Sequence, residues 1–510
     1  MRFNDWITHH AAVHPEKPAL VLLDEERTIT YSELSRRVDR ASRWLGELGV
    51  GPGDRVAVLA PNSLAHWELY FATAKLTALF VPFNFRLAPE ELKTILHLAR
   101  PKVLVVAPEL CAAASDGAPA ATRLFGLGVP PAGIDSYEAA LMAASDAPVE
   151  ALPAGLDTVH QVLYTSGTTG QPKGAMLTLG QVHWNSLNTG LATDLTSQDS
   201  TITYTPLFHT GGLHVLSTPL FHRGATVFQM AAFDAERILA AHERYQITTL
   251  FGVPTTFQML AESPSFQRTD LSSVRFCLCG GAPCPIPLIE LYALRGLVFR
   301  QGFGMTEVGP NCFSLPPQDA VRKAGTVGRP MLHVAARVVD ASGAAVPPGA
   351  IGELELSGPV VSTGYLENPV ATTASRRDGW FRTGDLASVD QEGYFRIAGR
   401  SKEMWISGGE NVYPAEIENA LATHPGVSEA CCFGVPDPKW GEIGWAAVVI
   451  RAGYAVTSET LLEFLRQRLA RYKVPRRIDL VSELPRNASG KVLKHYVRAL
   501  MEERSSGGTS

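Results

Sequence analysis

The chain has 510 residues, 45% of them hydrophobic and 19% charged, an ordinary globular composition with room for roughly two to four domains or lobes. A formal net charge of -5 offers no broad basic field, which argues against nucleic acid as a partner. The opening run MRFNDWITHHAAVHPEKPAL has no basic segment followed by an apolar one, and no apolar run reaches membrane-spanning length; no secretion leader or spanning helix is expected, and peripheral membrane contact stays open.

Short apolar, β-branched runs alternate with helical patterns through the first four hundred residues. Residues 55–59, 103–107, 226–229, 248–251 and 274–278 read as buried strands. This alternation predicts an α/β fold of layered helices and parallel sheets. Residues 113–155 turn rich in Ala, Pro and Gly and read as irregular surface connections. Seven cysteines, an odd number, lie mostly in apolar runs such as Cys277-Leu278-Cys279 and Cys431-Cys432. They look like buried strand positions in a reducing compartment, so a cytoplasmic location is expected.

From Ile351 the pattern changes: ELEL and then WFRTGDLASVDQEGYFRIAGR read as short strands with turns at Asp378-Gly379 and Glu392-Gly393. This β-rich lobe should end near Arg400. Beyond it, residues 414–421 start a helix, 446–450 form a strand, and 458–473 form a helix. In that last helix Leu461, Leu465, Leu469 and Tyr472 share one face, with Ser458 as N-cap and Pro475 past the end. The tail ERSSGGTS is expected to be disordered. The predicted organisation is a large N-terminal domain over residues 1–400 and a small α+β domain over 401–510, with any cleft at their junction.

The segment YTSGTTGQPKG, from Tyr164 to Gly174, packs three glycines, four serine or threonine hydroxyls and one lysine into eleven residues. Gly167, Gly170 and Gly174 permit backbone angles closed to other residues, so successive amides can form an anion-binding nest. Thr165, Ser166, Thr168 and Thr169 add hydroxyl donors, and Lys173 adds a mobile charge. It is not a Walker A loop, because Lys173 lies between Pro172 and Gly174. Nor is it a hydrolase elbow, since Tyr164 stands where that motif needs glycine. A plain flexible loop is the competing account.

Six further segments follow in order: PLFHTGGLH from Pro206, CGGAPCP from Cys279, QGFGMTE from Gln301, WFRTGDL from Trp380, GRSKEMWISGGENVYPAEIE from Gly399, and PRNASGKV from Pro485. Together with the phosphate loop, this set resembles the adenylate-forming superfamily, and within it the acyl-CoA synthetases, over nearly the whole chain. YTSGTTGQPKG, GENVYPAEIE and RLARYKVP most resemble bacterial fatty-acid-CoA ligases, with aryl-acid-CoA ligases close behind. The resemblance implies Mg2+ as cofactor and a small carboxylic acid, ATP and coenzyme A as substrates. It also leaves room for a homodimer.

By that resemblance Glu307 holds magnesium, joined by the Thr165 hydroxyl, a hard-oxygen set that suits the ion. Thr165, Ser166, Gly167, Thr168, Thr169, Gly170 and Lys173 hold the phosphates, and Thr306, beside Gly304, donates to the α-phosphate. Phe303 matches the aromatic position, more often Tyr in the family, that stacks on adenine, while Gly280, Gly281 and Ala282 let the base lie against backbone. Asp385 matches the acid that grips the ribose hydroxyls, and Arg400 adds a second ribose or phosphate contact. A turn aspartate and a surface ion pair are the plainer readings of those two.

Lys402 matches the hinge of the small domain. Lys491 matches the lysine that bridges the carboxylate and α-phosphate; without its PRNASGKV context it would read as a solvated surface lysine. His209 resembles the residue between acyl pocket and pantetheine tunnel. With His214 five residues on, it could also suggest a metal pair, though no metalloprotease motif is present. Gly408, Gly409 and Trp440 are implied in coenzyme A binding. Arg471, Lys473, Arg476 and Arg477 read as a solvated face, with coenzyme A phosphates as the alternative.

Phe251, Gly252, Thr255, Leu278, Val308 and Asn311 are the implied acyl pocket, a mostly apolar set without a cation for a second carboxylate. The expected reaction is ATP-driven formation of an acyl-adenylate from a carboxylic acid, followed by transfer to coenzyme A with loss of AMP and diphosphate. A medium- or long-chain fatty acid is the expected substrate, with an aryl acid of benzoate or cinnamate type as the alternative. A non-catalytic nucleotide-binding sensor is the rival from another class, but it would not need Glu307, Gly409 and Lys491 together.

Overall fold

Parallel strands covered on both faces divide their side chains between two cores, and the computed structural model, which describes residues 4–165, 172–407, 410–486 and 491–506, shows this division clearly. In the strand Arg55–Leu59, Val56 and Val58 enter one core while Ala57 and Leu59 enter another. In Phe276–Cys279, Phe276 and Leu278 face one side and Cys277 and Cys279 the other.

Among the described residues, two large sheets carry these strands. The first runs Gly364–Tyr365, Lys173–Thr178, Val159–Thr165, Leu79–Pro82, Arg55–Leu59, Val103–Val106, Arg123–Gly126, Asp135–Ser136. The second, nine strands wide, has at its centre Phe299–Met305, Phe276–Cys279, Thr249–Gly252 and Ser200–Thr203. Helices Tyr31–Glu47 and Leu64–Leu76 lie between the sheets: Leu34, Val38 and Trp67 share a core with Val56 of the first sheet and Val227 of the second. Ile238, Phe257 and Leu288 cover the outer face of the second sheet, and Leu92 and Ile95 that of the first. The predicted α/β layering is therefore present. The five expected strands appear within two residues of their expected bounds.

Residues 113–155 depart from the expected irregular connection. They contain the last two strands of the first sheet, Arg123–Gly126 and the edge strand Asp135–Ser136, and the helix Tyr137–Ala143, and the helix Cys111–Gly117 runs into them. These elements are too short to show a period, and Ala-rich composition is compatible with helix.

The β-rich lobe begins earlier than Ile351, with Ala335–Val339 paired to Gly352–Ser357. Asp378 and Gly379 both take positive φ, 48° and 81°, and close a hairpin with Arg377 opposite Trp380. The lobe's last strand is Phe395–Arg400, and the next, Trp405–Ser407, already belongs to the sheet of the small domain. That sheet is built on the long hairpin Val427–Asp437 and Gly441–Ile450. Cys432, Ala446 and Val448 on one face meet Leu461 and Leu465, whereas Cys431, Phe433 and Ala447 on the other meet Val497 and Met501.

The helix expected over 458–473 stops at Arg466, and its N-cap is Thr457, whose hydroxyl accepts from the Thr460 amide at 3.2 Å. Leu461 and Leu465 are fully buried, but beyond Arg466 only Leu469 packs, partly buried, on the same core and Tyr472 is exposed, too little apolar contact to hold that segment in helix. The C-terminal helix Lys494–Ser506 takes in Glu503 to Ser506 of the tail expected to be disordered. All seven cysteines are unpaired and buried.

Candidate active site

Parallel strands deliver their C-terminal ends to one edge of a sheet, which is where α/β folds bind ligands. Thr249–Gly252, Phe276–Cys279 and Phe299–Met305 lie side by side, with Gly252 opposite Cys279 and Cys279 opposite Gln301. Their ends bring Gly252, Gly280–Ala282 and Phe303–Glu307 together. A Cβ at Gly280 would come no nearer than 3.8 Å to Gly302 O, so the strand ends leave an open backbone surface there. Half-buried Phe303 is braced edge-on by Phe313, with ring centres 5.8 Å apart.

Thr165 ends its strand opposite Lys173, and its hydroxyl donates to the Lys173 carbonyl at 3.4 Å. Ser166, Gly167, Thr168, Thr169 and Gly170 lie outside the described residues, as do Gly408 and Gly409. Glu307 is buried in a short helical turn and accepts at Oε1 from the Tyr365 hydroxyl at 2.9 Å. Thr306 is buried beside it and its carbonyl accepts from Gln181 Nε2 at 3.1 Å.

Asp385 and Arg400 face each other across neighbouring strands, with Arg400 Nε 2.8 Å from Asp385 Oδ1. Asp385 is 4% exposed, and its second oxygen, Oδ2, is buried with no hydrogen-bond partner among the described residues. An unsatisfied buried carboxylate oxygen is costly, and a ligand hydroxyl is the kind of donor that fits. Burial pushes the carboxyl up to about 6, opposed by the charges of Arg400 and Lys491. Lys491, far along the chain in the C-terminal region, lies near enough for its charge to bear on this acid.

The same lysine lowers the imidazole of His209, after burial as the first cause. Lys491 is itself lowered, by desolvation and then by Arg400. As a residue it is exposed, and His209 is half-exposed.

His209 immediately precedes the helix Thr210–His214, where a Gly211 side chain would come within 3.5 Å of the Phe251 ring. Phe251 is beside Leu278 in register. Gly252 admits no larger residue, since a Cβ would sit 2.7 Å from Tyr204 Oη and 2.5 Å from Thr256 Oγ1. Thr255 is half-buried in the first turn of Pro254–Glu262. Val308 is fully buried in the core of the β-rich lobe, and Asn311 donates to Thr189 Oγ1 at 2.7 Å and the Val215 carbonyl at 2.9 Å. Tyr204, Gly211 and Tyr365 join the site without having been singled out in the sequence.

The metal-pair alternative for His214 does not fit. Its Nδ1 bonds Thr218 Oγ1 at 2.9 Å and its Nε2 bonds Gln161 Oε1 at 2.8 Å, so both ring nitrogens are engaged. Trp440 is 39% exposed, with Lys439 and Arg476 over its ring at 5.1 and 5.9 Å. It adjoins Gly441, which pairs with Ser407 at the end of Trp405–Ser407. Lys402 is exposed in the turn between the lobe and the small domain.

Residues 7–366 match the AMP-binding enzyme family, and residues 416–491 match the AMP-binding enzyme C-terminal domain. The chain is 45% identical over 493 residues to a feruloyl-CoA synthase of an Amycolatopsis species, covering 97% of this chain and 98% of that one. It is 40% identical over 507 residues to the indoleacetate–CoA ligase of Aromatoleum aromaticum, covering 99% of each. The ATP-bound structure of MatB from Rhodopseudomonas palustris, 34% identical, superposes with a TM-score of 0.89 over 99% of both chains; the apo form gives 0.79. The chain belongs to the AMP-binding enzyme family, the adenylate-forming superfamily. Within it the chain is an acyl-CoA synthetase, an acid–thiol ligase that draws on ATP and coenzyme A. No helix among the described residues is long and apolar enough to cross a membrane.

Proposed function

We propose that this ligase activates an aromatic monocarboxylic acid. A carboxylate oxygen attacks the α-phosphorus of ATP, the bond to the β-phosphate breaks, and diphosphate leaves; the thiol of coenzyme A then attacks the acyl carbon and releases AMP. The observation that carries the adenylation step is the buried Asp385, paired with Arg400 at 2.8 Å with its second oxygen left over, on which the charge of Lys491 also bears. Two anions must approach each other in the first step, and a lysine point charge offsets their repulsion.

Asp385 holds the ribose through the oxygen that lacks a partner, Phe303 stacks on adenine above Gly280 to Ala282, and residues 165–170 with Lys173 hold the phosphates. Glu307 and the Thr165 hydroxyl form a hard-oxygen set that fits Mg2+. When bound, the ion supplies charge neutralisation to the phosphates. For the second step the small domain turns about Lys402 and presents Gly408, Gly409 and Trp440 to the thiol. A cytoplasmic setting belongs to the same reading.

Two relatives named for aromatic acids, at 45% and 40% identity, support the choice of acid over the fatty acid expected from the motifs. Phe251 and Leu278, side by side in register, add apolar walls, and this pair offers no cation for a second carboxylate. A panel of ferulate, indoleacetate, benzoate, octanoate and palmitate, scored by diphosphate release and by hydroxamate trapping with and without coenzyme A, tests this. Aromatic acids should lead in kcat/KM by about tenfold or more. A lead by octanoate or palmitate would restore the fatty-acid reading, and ATP binding without turnover of any acid would support the sensor.

Asp385 also predicts a proton linkage. Its folded value, about 6, lies above the ordinary carboxylate value of 3.8, so its protonated form favours folding below that value and this contribution is lost as pH rises through 6. Ribose hydroxyls donating to Oδ2 favour the charged form, so AMP binding should expel up to about one proton near pH 5.5 and tighten as pH rises towards 7. Calorimetry in two buffers of unlike ionisation enthalpy reads this release directly. Asp385→Asn should abolish the difference between buffers.

A further inference from the structure

We infer that Tyr365 is a positioning residue that sets both Glu307 and Lys173 for the nucleotide, an inference that rests on the phosphate and metal roles proposed above. Its hydroxyl donates to Glu307 Oε1 at 2.9 Å, and its ring centre lies 5.3 Å from the Lys173 ammonium. One side chain thus touches the carboxylate at one side of the candidate phosphate site and the cation at the other. A carboxylate with one oxygen claimed by a neutral donor presents the other in a defined direction, and an ammonium over an aromatic face is held without losing its charge.

The backbone around Tyr365 is fixed to match. Gly364–Tyr365 is the outermost strand of its sheet, with Tyr365 opposite Ala175, and the Leu366 amide donates to the Gly174 carbonyl at 2.8 Å. The Tyr365 amide donates to Thr372 Oγ1 at 2.9 Å. Gly364 has φ +139°, and a Cβ there would meet Thr372 Cγ2 at 2.4 Å, so the preceding position is closed to a side chain. From the other direction, the Ser362 amide donates to the Glu307 carbonyl at 2.6 Å. The segment is therefore bonded at once to the strand leaving the phosphate loop and to the turn that carries Glu307.

The test follows ATP binding to the full-length protein by calorimetry, first in EDTA and then with increasing MgCl2. Tyr365→Phe keeps the ring and loses the hydroxyl: binding in EDTA should stay within about twofold, while the half-maximal Mg2+ concentration rises about tenfold. Tyr365→Leu loses both contacts and should also weaken binding in EDTA. Glu307→Gln serves as the second arm. If it raises the Mg2+ requirement and Tyr365→Phe does not, the inference about Tyr365 is wrong and the metal role of Glu307 stands. If neither variant, nor the parent protein, responds to Mg2+, both fall. A Tyr365→Phe protein that fails to fold would make Tyr365 a structural residue and overturn the inference as well.

Discussion

Lys491→Ala should lower acyl-adenylate formation on the order of a thousandfold while leaving thioester synthesis from supplied acyl-adenylate within about twofold of the parent. The asymmetry follows from where charge must be offset. In the first step a carboxylate meets a triphosphate, and Lys491 is the small-domain cation whose field reaches Asp385 and His209 in this arrangement. In the second step the acyl group is already joined to AMP in a mixed anhydride, AMP is the leaving group, and the nucleophile is a thiol. Diphosphate release and a direct assay of acyl-adenylate consumption separate the two; equal losses in both would remove Lys491 from its assigned place.

The second large effect belongs to Asp385. Asp385→Ala should weaken AMP binding on the order of a hundredfold, since it removes a charged acceptor of ligand hydroxyls and leaves Arg400 without its 2.8 Å partner. A cycle with 2'-deoxy-AMP distinguishes these causes. In the parent the missing hydroxyl should cost about tenfold, and in Asp385→Ala almost nothing. If the deoxy nucleotide is discriminated equally by both proteins, the unpartnered oxygen serves some other end.

Several parts of this arrangement were legible in the sequence for a physical reason. Strands such as Arg55–Leu59 are apolar from Val56 onward because both faces are covered, and a glycine such as Gly252 marks a place where the backbone must come close to something. The resemblance carried Lys491, which no composition or period would have separated from a solvated surface lysine.

What stayed hidden depends on contacts between distant segments. Tyr365 is one tyrosine among thirteen, and its meaning comes only when a two-residue strand places it between Glu307 and Lys173. Residues 113–155 look irregular because elements of two to seven residues carry too few turns or alternations to declare themselves. The spacing of Leu461 and Leu465 continues through Leu469 and Tyr472 and so reads as helix to 473, although Leu469 only partly packs on that core and Tyr472 is exposed.

The seven buried cysteines bear on chemistry that none of them performs. An acyl-adenylate is a potent electrophile, and any accessible thiolate beside it would be acylated in place of the intended acceptor. Here burial pushes the thiols of Cys277, Cys279, Cys312, Cys431 and Cys432 up, away from ionisation. The catalyst therefore keeps its own sulfur out of competition, and self-inactivation through its cysteines is suppressed by the packing of the cores themselves.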